Sequence, residues 1–231
     1  MTAFLTEATL FPLVLTLGAY QIALWLQKKL KNNPLCNPIL VSILLVITVL
    51  LVTGVSVDTY SSGTTYIQWL LTPATVCLAL PLYRQTQILR KNLPAIAVGI
   101  AAGTVTSLVF ILLYCKALGL DRQVSVSLLP KSITTAMGIV LSSKNGGMES
   151  LTTVAIIMTG ILGNISGRTL CKLLKITHPI AQGVGFGTAS HVIGTSRAAQ
   201  LDPLAGAVSS LSLAVSGVLT ALLFPIFCLL A

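Results

Sequence analysis

Long apolar runs, each closed by a short polar or basic cluster, organise this chain. Runs at about 4–26, 38–55, 93–115, 150–167 and 204–230 are each long enough to cross a bilayer as a helix, which takes roughly 17–25 residues. Three further segments are apolar but interrupted. IQWLLTPATVCLALPLY at about 66–83 carries Pro73 and Pro81, the segment 123–143 carries Pro130, and the glycine-rich GVGFGTASHVIGTSRAAQ (183–200) is only weakly apolar. Proline inside a helix removes a backbone donor and clashes with the preceding turn, so these segments are expected to be discontinuous. The pattern predicts a single membrane domain over 1–231. It is all-α and polytopic, with about seven to eight membrane segments and broken or re-entrant helices.

Composition agrees. Of 231 residues, 55% are hydrophobic and 8% charged, against about 25% charged in soluble domains. So few charges cannot cover a water-facing surface. The net charge of +9 comes from 14 basic and 5 acidic residues, and the basic ones gather in connectors, as in loops facing the cytoplasm and anionic lipid. No basic–aromatic face suits nucleic acid. The five cysteines (Cys36, Cys77, Cys115, Cys171, Cys228) form no CxxC and lie in or near apolar runs, so they read as packing residues. The first run has no basic region before it and ends in KKLK, which predicts an uncleaved span and not a secretory signal.

The positive-inside rule orders the spans. KKLK (28–31), RQTQILRK (84–91) and RTLCKLLK (168–175) all fall on the cytoplasmic side if 123–147 dips into the membrane and returns. If it crossed fully, RTLCKLLK would lie outside. Lys144 is the exception to the dip. TPATVCLALPLYRQ (72–85) overlays GFGTASHVIGTSRA (185–198) without a gap, pairing Thr75 with Thr188, Pro81 with Gly194 and Arg84 with Arg197. Gly99 and Gly103 then fall on Ser212 and Ser216. This predicts an inverted repeat with halves 1–118 and 119–231, a transporter architecture whose site lies where the helix breaks meet.

Two constellations carry candidate chemistry. In SLLPKSITTAMGI (127–139), Lys131 sits beside the helix-breaking Pro130 with Ser132, Thr134 and Thr135 around it. A lysine there costs about 2.5–3.5 kcal/mol on insertion scales, so it either holds an anion with the hydroxyls and a half-helix N-terminus, or snorkels or pairs with an acid. In GTASHVIGTSR (187–197), Thr188, His191 and Thr195 share one helical face, with Ser190 and Arg197 on a neighbouring one; Gly187 and Gly194 are the expected breaks. His191 could contact substrate or take a proton, or serve only as a helix–helix hydrogen bond. Glycine pairs Gly99/Gly103 and Gly163/Gly167 read as packing ridges, and Ser209, Ser210 and Ser212 as helix glue. GVGFG is not a dinucleotide fingerprint, since no strand precedes it. All five acids lie near span ends, and there is no nucleophile–base pair or metal-ligand cluster. No enzyme activity, metal or cofactor is expected. The excess of buried basic groups suits a small anion such as a monocarboxylate.

LLPKSITTAMGI, GTASHVIGTSRAAQLDPLAGAVSSL and LLTPATVCLALPLYRQ resemble the signature stretches of the LrgB/CidB family across nearly the whole chain. These bacterial membrane proteins are called antiholin-like, or regulators of murein hydrolase export, and act with a small holin-like partner of the LrgA/CidA type. A similar domain occurs in the plastid glycolate/glycerate transporter of plants, and some bacterial relatives are linked to pyruvate uptake. The family motif Asn-Pro-Ile is present at Asn37-Pro38-Ile39. Where relatives often carry a second proline after PKS–TT, this chain has Ala136 and Met137, which softens the break. The resemblance implies a multi-pass protein of the bacterial inner membrane, expected to be a homo-oligomer. It leaves two functions. A secondary transporter or facilitator of pyruvate-, glycolate- or glycerate-type monocarboxylates would depend on Lys131, with Ser190, His191 and Thr195 on the 2-substituent. A non-transporting regulator would depend more on its small-residue ridges.

Overall fold

The computed structural model describes residues 10–30, 37–77 and 79–231. The start of the first run, the loop containing Cys36, and the side chain of Thr75 used in the repeat overlay lie outside the described residues. Every regular element described is helical. Two compact units emerge, Met1–Cys77 and Leu78–Ala231.

In the first unit, α1 (Phe11–Lys29) packs against α2 (Pro38–Thr53), followed by the short α3 (Val57–Gly63), α4 (Thr65–Trp69) and α5 (Leu71–Cys77). Asn37 starts α2: its side chain accepts from Ile39 N at 2.8 Å, and Pro38 occupies the first helical turn. Tyr60 of α3 shares a 2.7 Å hydrogen bond with Thr16 of α1.

The second unit opens with α6 (Ala79–Arg84) and α7 (Thr86–Lys91), then the long α8 (Leu93–Ala117). The broken segment follows as α9 (Arg122–Leu128), a turn, and α10 (Thr135–Lys144). Three long helices complete it: α11 (Glu149–Leu173), α12 (Pro179–Leu201) and α13 (Pro203–Leu230). His178-Pro179 and Asp202-Pro203 repeat the start signal of α2, a polar cap followed by proline. His178 Nδ1 accepts from Ile180 N, and Asp202 Oδ1 accepts from Leu204 N at 2.8 Å and Ala205 N at 3.0 Å.

Fewer helices are long and apolar enough to cross a membrane than the seven or eight expected segments. Among the described residues there are three, α8, α11 and α13, with α2 apolar but shorter at 16 residues. Prolines explain part of the difference. Pro73 sits in the first turn of α5 and Pro81 in the first turn of α6, and within the first unit 65–77 is divided between α4 and α5. Pro130 lies in the turn between α9 and α10.

Small residues bring the second unit together. Added Cβ atoms on Gly99 and Gly103 of α8 would meet Val184 at 3.2 Å and Thr188 Oγ1 at 2.9 Å on α12. One on Gly183 would meet Ala205 O at 2.6 Å on α13. An apolar cluster of Leu108, Cys115, Val126, Leu129, Phe224 and Cys228 joins α8, α9 and α13. Cys115 and Cys228 are thus core residues, whereas Cys77 is exposed.

The segment 123–147 folds back on itself. Ser127, near the end of α9, accepts from Met148 N at 2.7 Å, on the far side of α10. The buried Thr152 hydroxyl lies 2.9 Å from Ser127 O and 2.7 Å from Ser142 Oγ. A straight crossing would hold these groups tens of ångströms apart, since a helix rises about 1.5 Å per residue.

Candidate functional site

Two backbone breaks define the polar centre of the second unit. The first is the turn from Leu129 to Thr134. Pro130 has no N–H to give, and the turn is closed by Lys131 N to Leu128 O and Ile133 N to Pro130 O. Thr134 then enters α10 with extended geometry (ψ 146°) and no side-chain cap, leaving the first N–H groups of α10 without that partner.

The second break lies inside α12, at Ser190 (φ −131°, ψ 18°) and His191 (φ 40°, ψ −139°). A positive φ on histidine is strained, by order 1–3 kcal/mol, and persists only where neighbours enforce it. The neighbours are identifiable. His191 Nε2 is 2.8 Å from Ile156 O of α11; the carbonyl can only accept, so Nε2 carries the proton. The carbonyls around the break find partners: Thr195 Oγ1 donates to His191 O at 2.9 Å, and Asn164 Nδ2 to Ile193 O at 3.0 Å. Ser209 of α13 is 2.9 Å from Thr195 Oγ1. Gly160 of α11 makes room for the imidazole, since a Cβ there would meet His191 Cε1 at 2.6 Å. Gly163 does the same for Ser190.

The expected breaks at Gly187 and Gly194 are displaced: the distortion falls between them. Each glycine instead permits close approach. A Cβ on Gly187 would meet Ser212 Cβ at 2.7 Å, and one on Gly194 would meet Phe186 O at 2.8 Å.

Lys131 is half-buried, and its ammonium donates to Ser132 Oγ at 3.1 Å. No ion pair joins it to a carboxylate among the described residues. Ser132 Oγ is in turn 3.1 Å from Ser107 Oγ of α8. Beside them lies a small hydroxyl-lined cavity bounded by Thr104, Ser107, Ser132, Thr188, Ser216 and Thr220. Its volume of about 10 Å³, measured for the centre of a water molecule, is room for about one water. Thr104 Oγ1 is buried there without a hydrogen-bond partner. Thr188, on the turn of α12 before the second break, lines the same cavity as Ser132, so both broken segments contribute to its wall.

The structure therefore groups Ser132 and Thr188 around one cavity, with Lys131 bonded to Ser132, His191 three residues beyond Thr188, and Thr134 and Thr135 at the start of α10. Ser190 and Thr195 hold the second break. Arg197 is not part of this group: it lies two turns further along α12, donates to Gln200 Oε1 at 3.0 Å and sits near Arg168. Ser210 and Ser212 bond back to their own helix, at Gly206 O and Val208 O, so only Ser209 bridges helices. Sequence reasoning missed Thr104, Ser107 and Asn164. The first two belong to the short stretch TVTS (104–107) in the otherwise apolar α8. Asn164 lies between Gly163 and Gly167, where the ridge pattern drew the eye.

With this geometry established, comparison with known proteins is informative. Residues 16–230 match the LrgB-like family. The chain belongs to that family. A Staphylococcus epidermidis relative named "Holin-like protein CidB" is 38% identical over 218 residues, covering 94% of this chain and 95% of the relative. A Staphylococcus aureus protein of the same name is 37% identical over 221 residues, 96% of each. No solved structure is significantly similar. In this LrgB-like chain Ala136 and Met137 let α10 run unbroken to Lys144, and a Cβ added to Gly217 of α13 would meet Met137 Sδ at 3.3 Å.

Proposed function

We propose that this chain is a holin-like component of a bacterial membrane that regulates murein hydrolase export together with a small holin-like partner. One observation carries this reading: relatives named holin-like are similar along almost the entire length, not merely in one motif. The small-residue ridges, read from sequence as helix-packing features on which a regulator would depend, pack inside the second unit: Gly99 and Gly103 against α12, Gly163 against Ser190, and Gly167 against Phe186. Regulation is therefore assigned to the polar centre between the two breaks. The test is deletion of the gene followed by complementation. The wild-type chain is expected to restore the normal autolysis rate when its small membrane partner is present. An unchanged rate on deletion, with or without that partner, would remove this reading.

A second reading is favoured by the pairing of Lys131 with two broken helices: transport or facilitated passage of small monocarboxylates. A cation bonded to one hydroxyl, next to uncapped N–H groups, suits a carboxylate. The one-water cavity requires the α9–α10 turn to open before any such solute could enter. Saturable uptake of pyruvate, glycolate or glycerate by proteoliposomes containing only this chain would establish it. Flux equal to that of empty liposomes would dismiss it.

A further inference from the structure

We infer that the end of α11 and the first half of α12 form a specific binding site for one anionic phospholipid, with the headgroup phosphate in a basic pocket and an acyl chain in the adjoining groove. The pocket, of about 440 Å³, is lined by Arg168, Lys172, Lys175, Thr177 and Gln182, with no acidic residue in its wall. An apolar groove of about 190 Å³ runs on from it along Leu170, Ala181, Gly185, Phe186 and Ala189, towards Ser190. The two share Cys171, Ile176 and Gln182, so they are continuous. A cationic head and an apolar trough in one channel match the two ends of an anionic lipid.

Two further observations point to an anion at the head. Arg168, in the pocket wall, lies close enough to Arg197 for their charges to repel, and neither forms an ion pair with a carboxylate among the described residues. Arg197 Nε is also buried without a hydrogen-bond partner, while its other end reaches Gln200. Beside the pocket, Leu170, Leu173 and Leu174 are exposed. Leucines next to lysines and arginines place this region at a membrane–water boundary. The inference does not depend on either reading of function.

The groove offers a clean test. Gly185 lines it, and a Cβ there would meet nothing within 4 Å. Gly185→Leu therefore fills the trough without a clash and replaces glycine by a better helix former. The full chain in detergent is titrated with phosphatidylglycerol, phosphatidylcholine and soluble glycerol 3-phosphate, and the thermal midpoint is read. Phosphatidylglycerol is expected to stabilise saturably and phosphatidylcholine not to. Arg168→Gln with Lys172→Gln should weaken the apparent affinity roughly 30-fold, on the basis of the usual contribution of two cations near a lipid surface. Gly185→Leu should abolish the lipid shift without lowering the lipid-free midpoint. Equal stabilisation by phosphatidylcholine would overturn the inference. So would an equal loss in the control Arg84→Gln with Arg90→Gln, which marks unlocalised attraction. Glycerol 3-phosphate matching the lipid, with Gly185→Leu inert, would reassign the pocket to a free anion.

Discussion

At the scale of single residues, the polar centre rests on glycines as much as on polar groups. Gly160 and Gly163 admit His191 and Ser190 into α11, whereas Gly185 faces open space. Gly160→Ala must push against the imidazole, and overpacking of this kind costs about 1–3 kcal/mol. Gly185→Ala is expected to be neutral or to stabilise by up to about 1 kcal/mol, as glycine is a poor helix former. Thermal unfolding of the two variants side by side checks both; equal effects would contradict the packing described. Lys131 was legible in sequence as a costly charge beside Pro130. The Ser107–Ser132 contact beside it was not, because it joins residues 25 positions apart in sequence, on segments whose register no local pattern reveals. Arg197 misled for the opposite reason. Helical spacing places it on a face next to His191, but the kink between Ser190 and His191 and its pairing with Gln200 set it apart.

Among the elements, helix starts were the most readable feature and helix interiors the least. Asn37-Pro38, His178-Pro179 and Asp202-Pro203 all cap a helix by the same local chemistry. Asp202→Ala removes the acceptor for two N–H groups of α13, an expected loss of about 0.5–2 kcal/mol in a denaturation midpoint experiment. No loss would mean that water caps this helix equally well. The break at Pro130 was similarly local. The break at Ser190–His191 was not: glycine suggested Gly187 or Gly194, yet the strained residue is a histidine held by Ile156 and relieved by Asn164. Asn164→Leu removes one of two side-chain donors to Ile193 O, which keeps Ser196 Oγ at 2.8 Å, so the expected cost is that of one hydrogen bond, about 0.5–1.5 kcal/mol. Its destabilisation should exceed that of Ser166→Ala, whose hydroxyl bonds only within α11.

For the molecule as a whole, apolar patterning gave an all-helical chain with membrane-length helices, and the family resemblance is matched over residues 16–230. The count of spans was less legible, because an apolar run and an unbroken helix are different things where proline or a tertiary contact intervenes. The two breaks, separated by some 60 residues, converge because α8, α11 and α13 pack around α12 through glycine and serine. That convergence beside Lys131, which bonds Ser132 and forms no ion pair among the described residues, is the central claim. Lys131→Met keeps roughly the length of the side chain and removes the charge together with its hydrogen bond to Ser132. The most direct measurement is the autolysis rate of cells whose only copy carries Lys131→Met, present in the membrane at the wild-type level. A rate matching that of the deletion strain is predicted; a rate indistinguishable from wild type would contradict the assignment.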